Sequence, residues 1–351
     1  MFRLLFLSSL FIGCGKKPGS YSVNNANEAA TSDALTKADA MWAQRGDKEK
    51  LAETLGLYEQ ALTADPTNKH VLGRLIRGWY FMGDAHESEK AAKMSAWDKA
   101  VSFGNVCLEQ NEQYKATLEQ TSNKGEAVKA ITDTSDVPCI YWYASSLGKW
   151  AKLNGILQSL KHKPTFVGFM QRVEELQPDY FYGAPYRYWG AYFSVLPSFA
   201  GRDLNKSKEN FDKSISIAPE YLGTYLLLAD NWARNSQNVE EFDQAVQYVM
   251  ASDPNALPAD LLPENQAELK KAEGLWKERS GIFVNPPEPK PLVNQPPKVE
   301  EAPAEEAAPA EEAPTEEAAP TEEAAPSEEA APAEEAAPAE EAAPTEETPA
   351  E

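Results

Sequence analysis

Two stretches of the chain place apolar residues on one side of a helix. Leu72, Leu75, Ile76 and Trp79 recur at i, i+3, i+4 and i+7, and so do Tyr225, Leu228, Ala229 and Trp232. A second pattern precedes each of them. Tyr58, Ala61 and Pro66 mark a helix with an aromatic, then a small residue three positions on, then a proline five later. Phe211, Ser214 and Pro219 repeat it 153 residues further along. Related endings close at Pro178 and Pro254. The small residue lets two helices approach closely, and the proline stops the helix because it lacks an N–H and clashes with the preceding turn.

An aromatic–small–proline helix followed by an amphipathic one is the signature of a tetratricopeptide-like repeat. Each repeat is a hairpin that cannot bury its own apolar face, so neighbours must stack. The expected fold is all-α, a solenoid of helical hairpins with almost no strand. The interval from Pro178 to Pro219 is longer than the usual period, and an insertion is expected around 111–137.

The two ends of the chain do not share this pattern. Arg3 precedes an apolar run from Leu4 to Ile12, and Gly13-Cys14-Gly15 follows. This is the layout of a lipoprotein signal, in which the cysteine is acylated and becomes the mature N-terminus. The run is shorter than the roughly 20 residues a spanning helix needs. A cleaved signal with a nearby cysteine, or an uncleaved anchor, would account for the same residues. Gly15 after the cysteine, by resemblance to enterobacterial sorting, points to the periplasmic face of the outer membrane. From Val284 the chain turns proline-rich, and from Glu300 it repeats Glu-Glu-Ala-Ala-Pro-x, with Pro314, Pro320, Pro326, Pro332, Pro338 and Pro344 six apart. That spacing forbids two helical turns, and the repeat has nothing to bury. The expected organisation is a signal at 1–13, a linker at 14–30, the helical domain at 31–283 and a disordered acidic tail at 284–351.

Charge changes the picture less than its total suggests. Residues 300–351 hold 19 glutamates and no lysine or arginine, so of the net −22 only −3 belongs to residues 1–299. The acidity is the tail's, and the body has no basic patch that would point to nucleic acid. His70, His86 and His162 show no metal-ligand spacing. No nucleophile elbow, phosphate loop or zinc helix is present, so no catalytic residue, cofactor or metal is expected. Export makes a Cys107–Cys139 disulfide feasible. The insertion between them, which could hold their helices apart, tips the reading toward two buried thiols.

Two segments go beyond a repeat scaffold. One runs Cys139-Ile-Tyr-Trp-Tyr-Ala-Ser-Ser-Leu-Gly-Lys-Trp150. The other runs Pro178-Asp-Tyr-Phe-Tyr-Gly-Ala-Pro-Tyr-Arg-Tyr-Trp-Gly-Ala-Tyr192 and continues through Pro197, Gly201 and Asp203. Their order resembles the T-component family of TRAP transporters, with matches at Tyr141, Trp142, Gly183, Ala184, Pro185, Arg187, Gly190, Tyr192, Pro197 and Gly201. Asp203 is displaced by one residue through Arg202. The resemblance covers about residues 30–280. It implies a non-catalytic, lipid-anchored periplasmic protein that associates with the solute-binding protein of the transporter. It also implies handling of a hydrophobic or organic-acid ligand through a channel in a homo-oligomer.

The candidate ligand- or partner-binding residues are Tyr141, Trp142, Tyr182, Tyr186, Arg187 and Tyr192. Each has a plainer reading. Pro185 suits a first helical turn, Gly183 a tight approach and Gly190 close helix packing. Aromatics at helical spacing are more often core than ligand box. A guanidinium on a mostly apolar helix is ion-paired, lines a cavity for an anion, or lies on the surface. The alternative of another class is a structural outer-membrane lipoprotein, a repeat scaffold or assembly adaptor with the tail as spacer.

Overall fold

The computed structural model describes residues 28–290 and 296–297. Cys14, its apolar run and the acidic repeat lie outside the described residues. Among those described there is no strand. The first half comprises α1 (Glu28–Met41), α2 (Lys48–Leu62), α3 (Lys69–Phe81), α4 (Lys90–Leu108), α5 (Glu112–Thr121), α6 (Lys124–Ala127), α7 (Val137–Leu153) and α8 (Ile156–Leu176). It continues with α9 (Tyr180–Val195), α10 (Leu204–Ile217), α11 (Leu222–Leu227), α12 (Arg234–Ser236), α13 (Val239–Ala251), α14 (Leu262–Lys277) and α15 (Arg279–Ile282). A π-helical segment, Leu228–Ala233, joins α11 to α12, and another, Met82–His86, ends α3.

Local chemistry sets these boundaries. Asp47, Asn68, Asn111, Asn123, Asp203 and Asn238 each accept a hydrogen bond from a backbone N–H in the first turn of the helix that follows. Each satisfies a donor with no partner inside the helix. The four proline exits hold: α2, α8, α10 and α13 all end shortly before Pro66, Pro178, Pro219 and Pro254. The first helix begins at Glu28, inside the stretch expected as linker.

Most consecutive helices pack as neighbours, while α4 packs directly on α7 and α3 also packs on α7. Two apolar cores result. One runs from Ala34 on α1 to Trp189 on α9 and takes in Ala267 of α14, and the other runs from Phe211 on α10 to Phe283. The α9–α10 contact joins them. A Cβ on Gly190 would lie 2.7 Å from the Phe211 ring, so only glycine allows this approach. Ser207 Oγ donates to the Gly190 carbonyl at 2.6 Å, and Ser214 Oγ donates to the Gly183 carbonyl at 3.0 Å. Gly190 thus faces Ser207 and Gly183 faces Ser214.

Two regions depart from the sequence reading. Cys107 on α4 and Cys139 on α7 are bonded, with their Cα atoms 6.1 Å apart. The insertion does not separate them, because α5 and α6 fold aside and α6 packs on α8. The proline-rich segment also starts as part of the folded body. Pro287 accepts from Arg279 at 2.8 Å, Gln244 donates to the Pro296 carbonyl at 3.2 Å, and Pro297 is buried. A proline-rich chain keeps its carbonyls as acceptors even where it offers no N–H, and the α13 and α15 side chains use them.

The disulfide closes a loop of 32 residues, for which chain entropy predicts about 3–4 kcal/mol of stabilisation. Replacing both cysteines with serine should lower stability by about that much in urea unfolding. Mass spectrometry after alkylation without reductant should find neither thiol labelled.

Candidate functional site

The helix α14 does not continue the array outward. It returns to the earlier helices and bonds to them at several points along its length. At its first turn, Glu264 accepts from Arg45 Nε at 3.0 Å and from Arg45 Nη2 at 2.5 Å. It also accepts from Arg77 Nη2 of α3 at 2.7 Å. Asn265 is fully buried; its Oδ1 accepts from the Leu222 N–H at 3.1 Å and its Nδ2 donates to the Glu220 carbonyl at 3.2 Å. Two turns further on, Lys271 donates to Asp84 at 2.5 Å and to Glu268 at 2.7 Å, while Lys149 of α7 holds the other Asp84 oxygen at 2.6 Å. Just before α14, Asp260 accepts from the Tyr182 hydroxyl.

The two ionic nodes differ in balance. Asp84 and Glu268 match Lys149 and Lys271 charge for charge. Glu264 alone faces two guanidinium groups, so that node keeps one positive charge in excess. Burial raises the Asp84 and Glu264 pKa values, but the adjacent cations outweigh it and hold both carboxyls below their ordinary range. Burial also disfavours the Lys271 cation, yet Asp84 and Glu268 hold its pKa well above the usual lysine range. The depressed carboxyls contribute fully above about pH 4 and lose that contribution as pH falls through their folded values. The raised lysine contributes fully below about pH 10 and loses that only above its folded value. The network is therefore intact across the neutral range.

Against these nodes lies a cluster of rings. Trp142 packs on Tyr141 at 4.7 Å, on Phe181 at 4.8 Å and on Tyr80 at 5.1 Å between centroids. Phe181 meets Tyr221 at 5.6 Å, and Tyr182 stacks on Tyr221 at 5.9 Å. The Arg77 guanidinium lies 4.7 Å from the Phe181 ring, 5.4 Å from Trp142 and 5.5 Å from Trp42. Its Nε has no hydrogen-bond partner. The Arg74 guanidinium lies 4.5 Å from the Trp42 ring. Tyr80, Phe181, Tyr182 and Tyr221 are only half-buried, so the rings keep some access to solvent.

The start of α9 supplies two of these rings, Phe181 and Tyr182, through an unusual backbone. Phe181, Tyr182 and Gly183 have φ of +42°, +61° and +70°, three left-handed residues in succession. Gly183 adopts this freely, while each non-glycine costs about 1–2 kcal/mol. The right-handed part of α9 begins afterwards, which puts Pro185 in its first turn. Arg187 holds the left-handed turn in place. Its Nη1 donates to the Tyr182 carbonyl at 2.7 Å and its Nη2 to the Phe181 carbonyl at 2.8 Å. Its cation lies 4.3 Å from the Tyr221 ring and 5.3 Å from Phe181.

The structure thus brings Tyr141, Trp142, Tyr182 and Arg187 into one cluster. Tyr186 and Tyr192 lie elsewhere on α9. Tyr186 is covered by Lys213 at 4.1 Å, and Tyr192 stacks on Tyr188 at 6.1 Å. Arg187 is 3% exposed and its guanidinium is spent on two carbonyls rather than on a carboxylate. Trp189 and Tyr141 are buried in the first core, as aromatics at helical spacing tend to be. Sequence reasoning passed over Arg77, Glu264, Asp84, Lys271, Phe181 and Tyr221. One signal was available: Glu264, Glu268 and Lys271 recur at i, i+4 and i+7, the spacing that marks an inward face. Among the described residues, no group of three or more His, Cys, Asp or Glu is placed to hold a metal.

The T-component model of the TRAP transporters matches residues 28–283, which spans every helix of this site. The chain belongs to the TRAP transporter T-component family. No curated protein matches it. In this T-component the family match ends at Phe283, where the second core ends as well.

Truncating Glu264 would leave the nearly buried Arg45 guanidinium uncompensated. Glu264→Ala should cost about 3–5 kcal/mol in urea unfolding, with faster amide exchange concentrated in α14. Arg187→Lys should destabilise nearly as much as Arg187→Ala, about 2–3 kcal/mol, because an ammonium cannot fork to two carbonyls. Full rescue by lysine in the same unfolding measurement would show that charge alone, not the fork, holds the turn.

Proposed function

We propose that this T-component is a non-catalytic subunit, lipid-anchored through Cys14 on the periplasmic face of the outer membrane, that docks the solute-binding protein of a TRAP-type transporter. It handles an organic-acid ligand at the ring cluster. Family membership supports the transporter role. The observation that carries the ligand class is the Arg77 node, where one glutamate meets two guanidinium groups beside half-buried aromatic rings. Excess positive charge with an unpartnered Nε suits a carboxylate, and the rings suit an apolar body attached to it. Arg187 acts at one remove, by fixing the turn that presents Phe181 and Tyr182.

Calorimetry of the T-component with the solute-binding protein of its transporter should show association. Arg77→Gln should weaken the response to an organic acid about tenfold or more while leaving protein–protein association in place. Cys14→Ser should abolish acyl labelling and release the chain from the membrane fraction. Absence of any association at high micromolar concentration, with and without organic acid, would remove the docking role.

A further inference from the structure

The helix α8 is divided at Pro164. Beyond it, Phe166, Phe169, Met170 and Val173 are buried in the core. Before it, Ile156, Leu157 and Leu160 are 63%, 77% and 50% exposed. A proline inside a helix removes a backbone bond and clashes with the turn before it, and Pro164 marks the boundary between the exposed half and the buried half. The turn between α9 and α10 adds Phe199, which is 92% exposed. The two pieces lie at the same end of the molecule, because Lys163 Nζ sits 5.8 Å from the ring of Tyr192 near the end of α9.

The charge around this apolar end is mostly positive, and Asp203, which closes the turn that holds Phe199, is paired with Lys206 at 3.6 Å. Residues 137–173 and 180–202 contain no aspartate or glutamate. Lys152 and Lys161 are exposed beside the apolar side chains. Single exposed leucines need no explanation, but three apolar side chains at the start of one helix with a nearly free phenylalanine and exposed lysines beside them do. A helix with apolar side chains and lysines at its edge is the pattern that lies in the interface of an anionic bilayer.

We propose that this end of the T-component rests on an anionic phospholipid surface, with Ile156, Leu157, Leu160 and Phe199 entering the headgroup boundary and Lys152 and Lys161 among the phosphates. The contact does not depend on acylation of Cys14 or on the transporter role. It would fix which end of the body faces the bilayer.

The test uses the full mature chain carrying Cys14→Ser, so that no acyl chain contributes. Flotation is measured with phosphatidylcholine vesicles and with mixed phosphatidylcholine–phosphatidylglycerol vesicles. The chain as a whole is strongly acidic, so binding to the anionic vesicles reports a local surface and not net charge. The chain should float with the mixed vesicles and not with the neutral ones, and concentrated salt should release it. Lys161→Glu should weaken binding about fivefold or more, and Leu157→Asp combined with Phe199→Ser should abolish it. All these positions are exposed, so circular dichroism should be unchanged. No flotation by the parent chain, or equal flotation by the variants, overturns the proposal. Self-association in sedimentation that Leu157→Asp disrupts would assign the surface to a second copy instead, and would overturn it too.

Discussion

The Glu264 carboxylate ties the two ends of the fold together. It joins Arg45, in the turn before α2, to a helix more than two hundred residues later in sequence. Arg45 and Glu264 side chains are only 3% and 7% exposed, so neither ion can recover its lost hydration if the other is removed. Without that carboxylate, Arg45 and Arg77 would face α14 as two like charges with unpaired donors. With it, α14 is seated against α3, and the second node at Asp84 follows from the same placement. A stack of hairpins has only nearest-neighbour contacts. These ion pairs are long-range, so they make the stability of the last helix depend on the first hairpin.

That closure determines what the ring cluster can be. An open array would leave Trp142, Phe181 and Tyr221 on a face available to a partner protein. Here Asp260 and Glu264 bring α14 and its approach onto the same region, through Tyr182 and Arg77. On the proposed reading, the rings therefore serve a small molecule rather than a protein surface. The strain at Phe181 and Tyr182 fits this. Two non-glycine residues in the left-handed region persist only where the surroundings over-determine them, and such positions cluster at binding sites. Arg187 supplies two carbonyl bonds, Ser214 a third, and Asp260 fixes the Tyr182 hydroxyl.

Much of the helical skeleton was legible in the sequence. Pro66, Pro178, Pro219 and Pro254 stop helices because of a property of proline itself, and the Leu72–Trp79 and Tyr225–Trp232 faces follow from helix geometry. Gly190 was legible too, since a glycine between aromatics in a helix has few uses other than close packing. The return of α14 was not. Arg45, Arg77 and Glu264 come together across 187 to 219 residues, and no periodic pattern encodes a contact at that range. The left-handed turn was also hidden, because Phe and Tyr disfavour that conformation; only Gly183 hinted at it. For Arg187 the residue was identified but its work was not, since its partners are backbone carbonyls that every sequence possesses. Tyr186 and Tyr192 looked equivalent to Tyr182 by type, and the turn of α9 points them elsewhere.

The contrast between the two arginines shows how charge divides structural from functional duty. Arg187 is enclosed, and its fork is filled by two carbonyls and two ring faces. Adding an anion there would break the bonds that hold the turn. Arg77 is less enclosed, at 18% side-chain exposure, and shares its only carboxylate with Arg45. An incoming carboxylate at Arg77 would neutralise a charge that the fold leaves in excess, at no cost to the Arg45–Glu264 pair. The fold therefore spends one guanidinium on building the ring cluster and leaves the other underpaired beside it. On the proposed reading, that division makes Arg77 the ligand-facing residue and Arg187 its support.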